Sequence, residues 1–464
     1  MDKNKLTGEF EIEAKWFSDY SENAEYGVLK YSQSNIVVEL PDSDLEFDRK
    51  FKRVIGENQK NIISLFNVRV ISESNKYLSK TKLLAEYMFI DKKPIDNLED
   101  FKIDSIQWST DNLPLFLNDS VWEGLSEGEG VKYSEIPNRE YKIQNLDTII
   151  SINYSYLTNS QITPEGLVNT FKTIPYFSTK YSKVKSILEI KEDIQKICNL
   201  ICILSGAPQV ISTFKYSSTG YDLLGNKMRV NGQFYFNQSV PSRKNYQKIF
   251  SAYQFDLIAD SFGNILSNYF EKHMKLKAII QHLTMLISYG NLLESSYVDA
   301  ITSLEAFHTE FYGDNKEITT FTQDIILKLK AETKEAYKDK KGNEKDEEAI
   351  LLTYIKNFKK ITLKERLVEL FNETPVKLKE NFKHRKINFL SDEDKNEFTR
   401  KSVKTRNHLA HGNSKIIFTF DEMLSATYIL SMIAESCLMK SIGLDEDLIT
   451  EGIFNTKIYS NYIK

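Results

Sequence analysis

Polar and apolar residues alternate along the first part of the chain and recur at helical spacing along the second. GVLKYSQSNIVVEL (27–40) combines alternation with β-branched residues. NIISLFNVRVIS (61–72), KLLAEYMFI (82–90), KIDSIQWS (102–109) and TIISINYSYL (148–157) read the same way. Asn, Asp, Ser and Pro clusters separate these runs, as turns require. Their spacing is irregular, and no internal repeat is found. They predict an antiparallel sandwich or a barrel-like domain over residues 1–245. An inserted helix near 180–205 interrupts it and stops at Gly206-Ala207-Pro208. QVISTFKYSS (209–218) and QFYFNQSV (233–240) return to strand patterning, and Pro241–Lys244 reads as a linker.

From residue 246 the period changes to three and four. Residues 255–286, 294–312 and 364–371 are amphipathic at that spacing. A last helix is expected from Asp421 to Lys440, after a short strand-like KIIFTF (415–420). Residues 328–348 are almost purely charged, with both signs interleaved. They read as an exposed loop or a solvated helical protrusion rather than an RNA-guiding arm, because carboxylates among the cations oppose phosphate binding. The fold class expected is α+β and multidomain: a β-rich N-terminal domain, 1–245, then an all-α region, 246–464.

Composition narrows the function. The chain has 464 residues, 41% of them hydrophobic, and a net charge of −4. Wholesale disorder is excluded, and so is a generically basic polyanion binder; any contact with nucleic acid has to be local. Three cysteines cannot form a disulfide framework. Cys198 and Cys202, at i,i+4 in an apolar stretch, read as core residues rather than half of a metal site. No run of about 18 apolar residues exists to span a bilayer. The start, MDKNKLTGEF, lacks the apolar core of a secretory signal, so a cytoplasmic location without membrane attachment is expected. No Walker A loop, GxGxxG, HExxH or GxSxG occurs, which argues against the chemistries those motifs support.

The informative segment is SDEDKNEFTRKSVKTRNHLAHGN, 391–413. Ser391 followed by Asp394 fits a capping box, with Asp in place of Glu. The acids at 392–394 suit the positive end of a helix dipole, and Gly412 suits the C′ position. One helix is therefore expected over 392–411. At about 100° per residue, Phe398, Ser402, Thr405 and Leu409 form a narrow packing stripe. Val403, Arg406, Asn407, Ala410 and His411 form a second patch, and His408 belongs to neither. An arginine, an amide and an imidazole converging at a helix end can cleave RNA without a metal ion. The ribose 2′-OH supplies the nucleophile. The imidazole moves protons near neutral pH, and the guanidinium meets the charge that builds on the phosphate. Asn407 can orient the imidazole or a phosphate oxygen. As a bare pattern, Arg and His five residues apart is weak, and a plain surface helix end would look the same.

RNHLAHG (406–412) resembles the signature of HEPN domains, a helical family with many RNases of bacterial defence systems. YVDAITSLEAFHTEF (297–311), LKERLVELF (363–371) and MLSATYILSMIAESCLMKSIGL (423–444) resemble its other helices. GEFEIEAKWF and YGVLKYSQSNIVVEL, within 8–40, resemble the opening of the β-rich domain of ApeA-type anti-phage proteins. The resemblance implies an all-α HEPN helical bundle over 290–445 behind a sensor or regulatory β-rich domain. It implies an endoribonuclease of abortive infection, acting on RNA and in particular tRNA, with Arg406 and His411 catalytic and Asn407 beside them. Glu305 is the implied partner that orients Arg406, and His408 is a spectator. No metal and no cofactor is expected. A homodimer through the HEPN domain is implied, with higher oligomers left open and a phage-derived trigger protein as a further partner. A non-catalytic RNA-, nucleotide- or protein-binding module is the alternative. His308 reads as a packed core histidine, and His273, His282, His384 and Arg385 as ordinary surface residues rather than a groove for RNA.

Overall fold

A computed structural model of the chain describes residues 5–463 other than 19–23, 42–48, 76–77, 120–121, 125–130, 134, 137, 164–165, 222–226, 240, 242–250, 291, 317–319, 358–359, 383–386 and 413–416. His384, Arg385 and most of the expected linker lie outside the described residues. Two compact units are formed: 1–271 with 284–290 and 441–458, and 272–283 with 291–440 and 459–464.

The first unit begins with six strands: β1 (Phe10–Ser18), β2 (Glu25–Ser32), β3 (Asn35–Leu40), β4 (Lys50–Glu57), β5 (Ile62–Asn75) and β6 (Leu78–Ala85). The run 27–40 is thus a hairpin, turning at Gln33-Ser34. Antiparallel pairing runs β1–β2–β3–β6–β5–β4 and back to β1, which closes a barrel. Closure leaves these strands no free edge. Leu29, Ile36, Val38, Val54, Ile63, Leu65 and Leu83 are buried in it. Trp16 is buried opposite Gly56 and donates Nε1–H to the Gly27 carbonyl at 3.2 Å. Gly56 has to be glycine, since a Cβ there would lie 2.7 Å from Trp16 Cε3.

β5 is long enough to pair with two strands in turn along one edge, where the barrel passes into the rest of the sheet. Its first half, up to Phe66, pairs with β7 (Tyr87–Asp91), and its second half, from Arg69, pairs with β6. Between them Asn67 takes a left-handed φ of 53°, and its amide bonds the Glu86 carboxylate at 2.8 Å across the gap between β6 and β7. This double kink hands the ladder on. After β7 come β8 (Lys102–Thr110), α1 (Leu113–Leu117), the hairpin β9 (Trp122–Gly124) and β10 (Val131–Tyr133), β11 (Arg139–Ile143), β12 (Thr148–Thr163) and β13 (Gly166–Ser186). Then follow α2 (Ile187–Ser205), β14 (Ile211–Tyr221) and β15 (Lys227–Phe236). Beyond β5 the sheet continues in the order β7-β15-β14-β8-β13-β12-β11.

The expected helix near 180–205 begins only at Ile187. Residues up to Ser186 extend β13, which still pairs with β8 there, Ser186 lying opposite Lys102. Ser186 then caps α2, with Glu189 closing the capping box. α2 is buried on most sides in its second half, from Ile194 to Leu204, and Gly206 at φ 66° ends it. Cys198 and Cys202 are buried there, and burial pushes the Cys202 thiol up to about 12. Both are core residues.

Helices fill the rest: α3 (Phe255–Ile258), α4 (Phe262–Ser288), α5 (Leu293–Tyr312), α6 (Thr320–Ala336), α7 (Asn343–Asn357), α8 (Leu363–Glu373), α9 (Val376–Glu380), α10 (Asp392–His411), α11 (Phe420–Ile442) and α12 (Glu446–Asn455). The expected strand KIIFTF is corrected. Its residues 417–419 are not extended ladder, Phe420 already begins α11, and 415–416 lie outside the described residues. With no described strand beside them, residues 417–419 have nothing to pair with, and Phe420 alone joins the helix. In the second unit α5, α8 and α10 pack together, while Ile429, Leu430, Met432, Ile433, Leu438 and Met439 bury α11 on nearly every side. The charged stretch 328–348 belongs to the hairpin α6–α7, so the solvated helical protrusion is the form it takes. No described helix is long and apolar enough to cross a membrane.

Candidate active site

α10 has the bounds its caps dictate. Ser391 Oγ accepts from the Asp394 N–H at 3.4 Å, and Asp392, Glu393 and Asp394 occupy the first turn. The box is not closed as expected. The Asp394 carboxylate, one methylene shorter than Glu, accepts instead from the Asn388 N–H at 2.9 Å. At the other end Gly412 takes φ 68° and donates its N–H to the His408 carbonyl at 2.7 Å.

The packing stripe appears as Lys395, Phe398, Thr399, Ser402 and Thr405, all buried. Phe398 lies 5.5 Å from Phe371 of α8, 5.1 Å from Phe389 and 5.8 Å from Phe418. Tyr297 of α5 donates its hydroxyl to the Ser402 carbonyl at 3.1 Å. Lys395 reaches Asn372 Oδ1 at 2.7 Å. Leu409 is only half-buried, and Ala410, His411 and Gly412 are exposed. The helix is therefore buried along its stripe up to Thr405, half-buried from Arg406 to Leu409, and clear of the chain only at Ala410, His411 and Gly412.

This half-buried helix end carries the expected residues. Arg406 Nη2 lies 3.5 Å from Glu305 Oε2, and Nη1 donates to Asn407 Oδ1 at 3.3 Å. The Arg406 and Glu305 side chains are 21% and 36% exposed. Arg406, Asn407 and Glu305 are thus brought together. His411 is exposed one turn beyond, and no described hydrogen bond joins it to Arg406. Arg406 Nε is enclosed without a hydrogen-bond partner, while Nη1 and Nη2 each keep a second proton for an outside acceptor. His408 is half-buried, with Nδ1 enclosed and unpartnered.

Glu305 is held by its helix. Tyr297, Ala300, Ile301, Leu304, Phe307 and His308 bury the other face of α5. His308 is fully enclosed, and its Nε2 meets Glu369 Oε2 of α8 at 2.6 Å. Arg366 of α8, 6% exposed, clamps the same turn. It bonds Asp314 at 2.6 Å, the Thr309 hydroxyl, and the Glu305 carbonyl at 3.5 Å. The sequence reading did not single out Arg366. The available signal was a guanidinium set in the apolar seam of Leu367, Leu370 and Phe371. His282 is also buried rather than a surface residue, with Nε2 2.8 Å from Ser431 Oγ. Among the described residues no group of three His, Cys, Asp or Glu side chains is placed to hold a metal ion.

Chemically, the arrangement offers a fixed guanidinium with free donors and a solvent-facing imidazole on one helix end. Two family models match. The one described as ApeA N-terminal domain 1 covers residues 6–269, more than half of the chain, and the one described as Apea-like HEPN covers 298–448. No curated protein and no solved structure matches significantly. The β-rich barrel-bearing unit, the helical unit with its α10 motif and these two matches agree, and the chain belongs to the ApeA family, an ApeA-type N-terminal domain joined to an Apea-like HEPN domain.

Proposed function

We propose that the chain is a metal-independent HEPN endoribonuclease of anti-phage abortive infection, cutting RNA, and tRNA in particular, inside the infected cell. The observation that supports this reading is the C-terminal end of α10, half-buried to Leu409 and exposed at Ala410–Gly412. It presents Arg406 and Asn407 beside Glu305, with His411 exposed farther along the same helix end. His411 moves the proton at the 2′-OH or at the leaving oxygen, and Arg406 meets the non-bridging phosphate oxygens. Attack by the 2′-OH leaves a 2′,3′-cyclic phosphate and a 5′-hydroxyl. Asn407 orients the phosphate, and Glu305 acts as a positioning residue for Arg406. The exposed turn can meet the same turn of a second chain, so that a homodimer builds one composite cleft. The N-terminal domain, about 1–245, then serves as the sensor for a phage-derived trigger, and 246–464 carries the nuclease.

The test uses the purified full chain, a tRNA substrate and EDTA. His411→Ala is expected to lose cleavage by a factor of about 10² or more while keeping RNA binding. Arg406→Ala is expected to lose both. Binding without turnover by the parent chain would instead favour the non-catalytic module.

A further inference from the structure

The α6–α7 hairpin carries an apolar face that the described residues of its own chain leave exposed. The two helices meet along a seam. On α6 the more buried positions are Thr322, Ile326, Lys330 and Thr333, and on α7 they are Glu348, Leu352 and Ile355. Measured from that seam at about 100° per residue, Phe321, Ile325 and Leu329 turn roughly 100° to one side of α6. Leu351 and Tyr354 turn about 65° and 125° in the same sense from the seam of α7, and Ile350, at about 165°, lies on the outer edge of that side. Because the helices run antiparallel, equal turns of one sense lead to the same broad face of the hairpin. Counted back from the tip, Leu329 is level with Ile350 and Ile325 with Tyr354. The six side chains therefore form one patch, and all are exposed, Phe321 at 74% and Tyr354 at 71%.

Area and charge select the occupant. With large apolar side chains covering roughly 200 Å² each, the exposed part of the six amounts to about 650 Å². The largest apolar patch of an ordinary monomer is about 300–600 Å², and a stable interface takes about 800 Å² from each partner. Residues 320–357 hold eight lysines and eight acidic residues, so the hairpin is neutral as a whole. RNA would call for unbalanced cations, and a strongly charged protein surface would find no net field to match. A copy of the same hairpin meets neither repulsion nor mismatch.

We propose that this face pairs with the same face of a second copy, forming an isologous four-helix contact. The contact is separate from the Arg406–His411 turn and does not depend on the nuclease reading.

The test is sedimentation of the full chain at micromolar concentration, alone and as the Ile325→Asp/Tyr354→Asp double variant. Leu327→Asp is the control, since Leu327 is 57% exposed but on the opposite face of the hairpin. The expected result is that the double variant halves the mass of the assembly while Leu327→Asp keeps it. A monomeric parent, an unchanged double variant or an equal effect of Leu327→Asp would overturn the proposal. Cysteine cross-linking provides a second readout, because the three native cysteines are buried. Tyr354→Cys is expected to give a covalent dimer under mild oxidation and Leu327→Cys none. If Tyr354→Cys fails to cross-link, the pairing is wrong. If the double variant loses RNA binding at unchanged mass, the face belongs to nucleic acid. None of these masses depends on whether His411 cleaves RNA, so the two readings fail separately.

Discussion

Arg406 and Glu305 form a half-exposed ion pair at 3.5 Å, and such a pair contributes under about 1 kcal/mol to folding. Its value lies in aim. A guanidinium held from one side directs its remaining protons the other way. Glu305→Gln is expected to lower cleavage about tenfold through loss of the charged partner, while thermal stability moves by less than about 0.5 kcal/mol. Single-turnover rates beside a melting curve check both. A large melting shift with unchanged rates would assign Glu305 to structure alone.

His282 supplies the pH prediction. Ser431 donates its only proton to the Thr427 carbonyl at 2.8 Å, so it must accept from His282 Nε2–H. Burial holds the imidazole neutral and pushes its pKa down to about 4. The folded value lies below that of an unfolded chain, near 6.5. As pH falls, the unfolded state therefore takes up the proton first. The stabilisation is complete above about pH 6.5 and is lost progressively down to about pH 4, up to roughly 3 kcal/mol. Denaturant melts of His282→Gln are expected to show a weaker pH slope across that window, and an unchanged slope would refute the assignment. At this scale the sequence revealed the Arg406, Asn407 and His411 set because the three sit within six residues of each other. Glu305 emerged only through family resemblance. Arg366 stayed hidden because its partners, Thr309 and Asp314, are more than fifty residues away.

At the scale of elements, local chemistry was legible and pairing was not. The bounds of α10 follow from Ser391, three acids and Gly412, all local signals. Ser391→Ala is expected to cost about 1 kcal/mol, since Asp394 has turned to Asn388 and cannot replace the lost acceptor. Urea melts read this directly. The barrel could be expected only in outline, because its closing pair, β3 with β6, joins segments about forty residues apart. Some of its devices were invisible: β1 and β4 as ladder partners, and the left-handed Asn67, between the stretch of β5 that pairs with β7 and the stretch that pairs with β6. β13 was misjudged because its last residues, with their Lys and Ser, pass without a break into an apolar helix. Gly56→Ala is expected to cost about 1–3 kcal/mol, because the added methyl meets the Trp16 ring inside the closed barrel. A melt of the variant unchanged from the parent would mean the Trp16 ring is free to move.

For the whole molecule, an acidic chain that cuts RNA has to concentrate its cations locally, and one exposed helix end supplies only part of a cleft. Two copies placing their α10 ends together would supply the rest. The central claim is that this helix end breaks the RNA backbone by internal attack of the 2′-OH. Sequencing of RNA ends from cells expressing the parent and His411→Ala chains tests it most directly. The account predicts fragments with 2′,3′-cyclic phosphate and 5′-hydroxyl ends from the parent and none from His411→Ala. Fragments ending in 3′-hydroxyl, or equal cleavage by both chains, would contradict it.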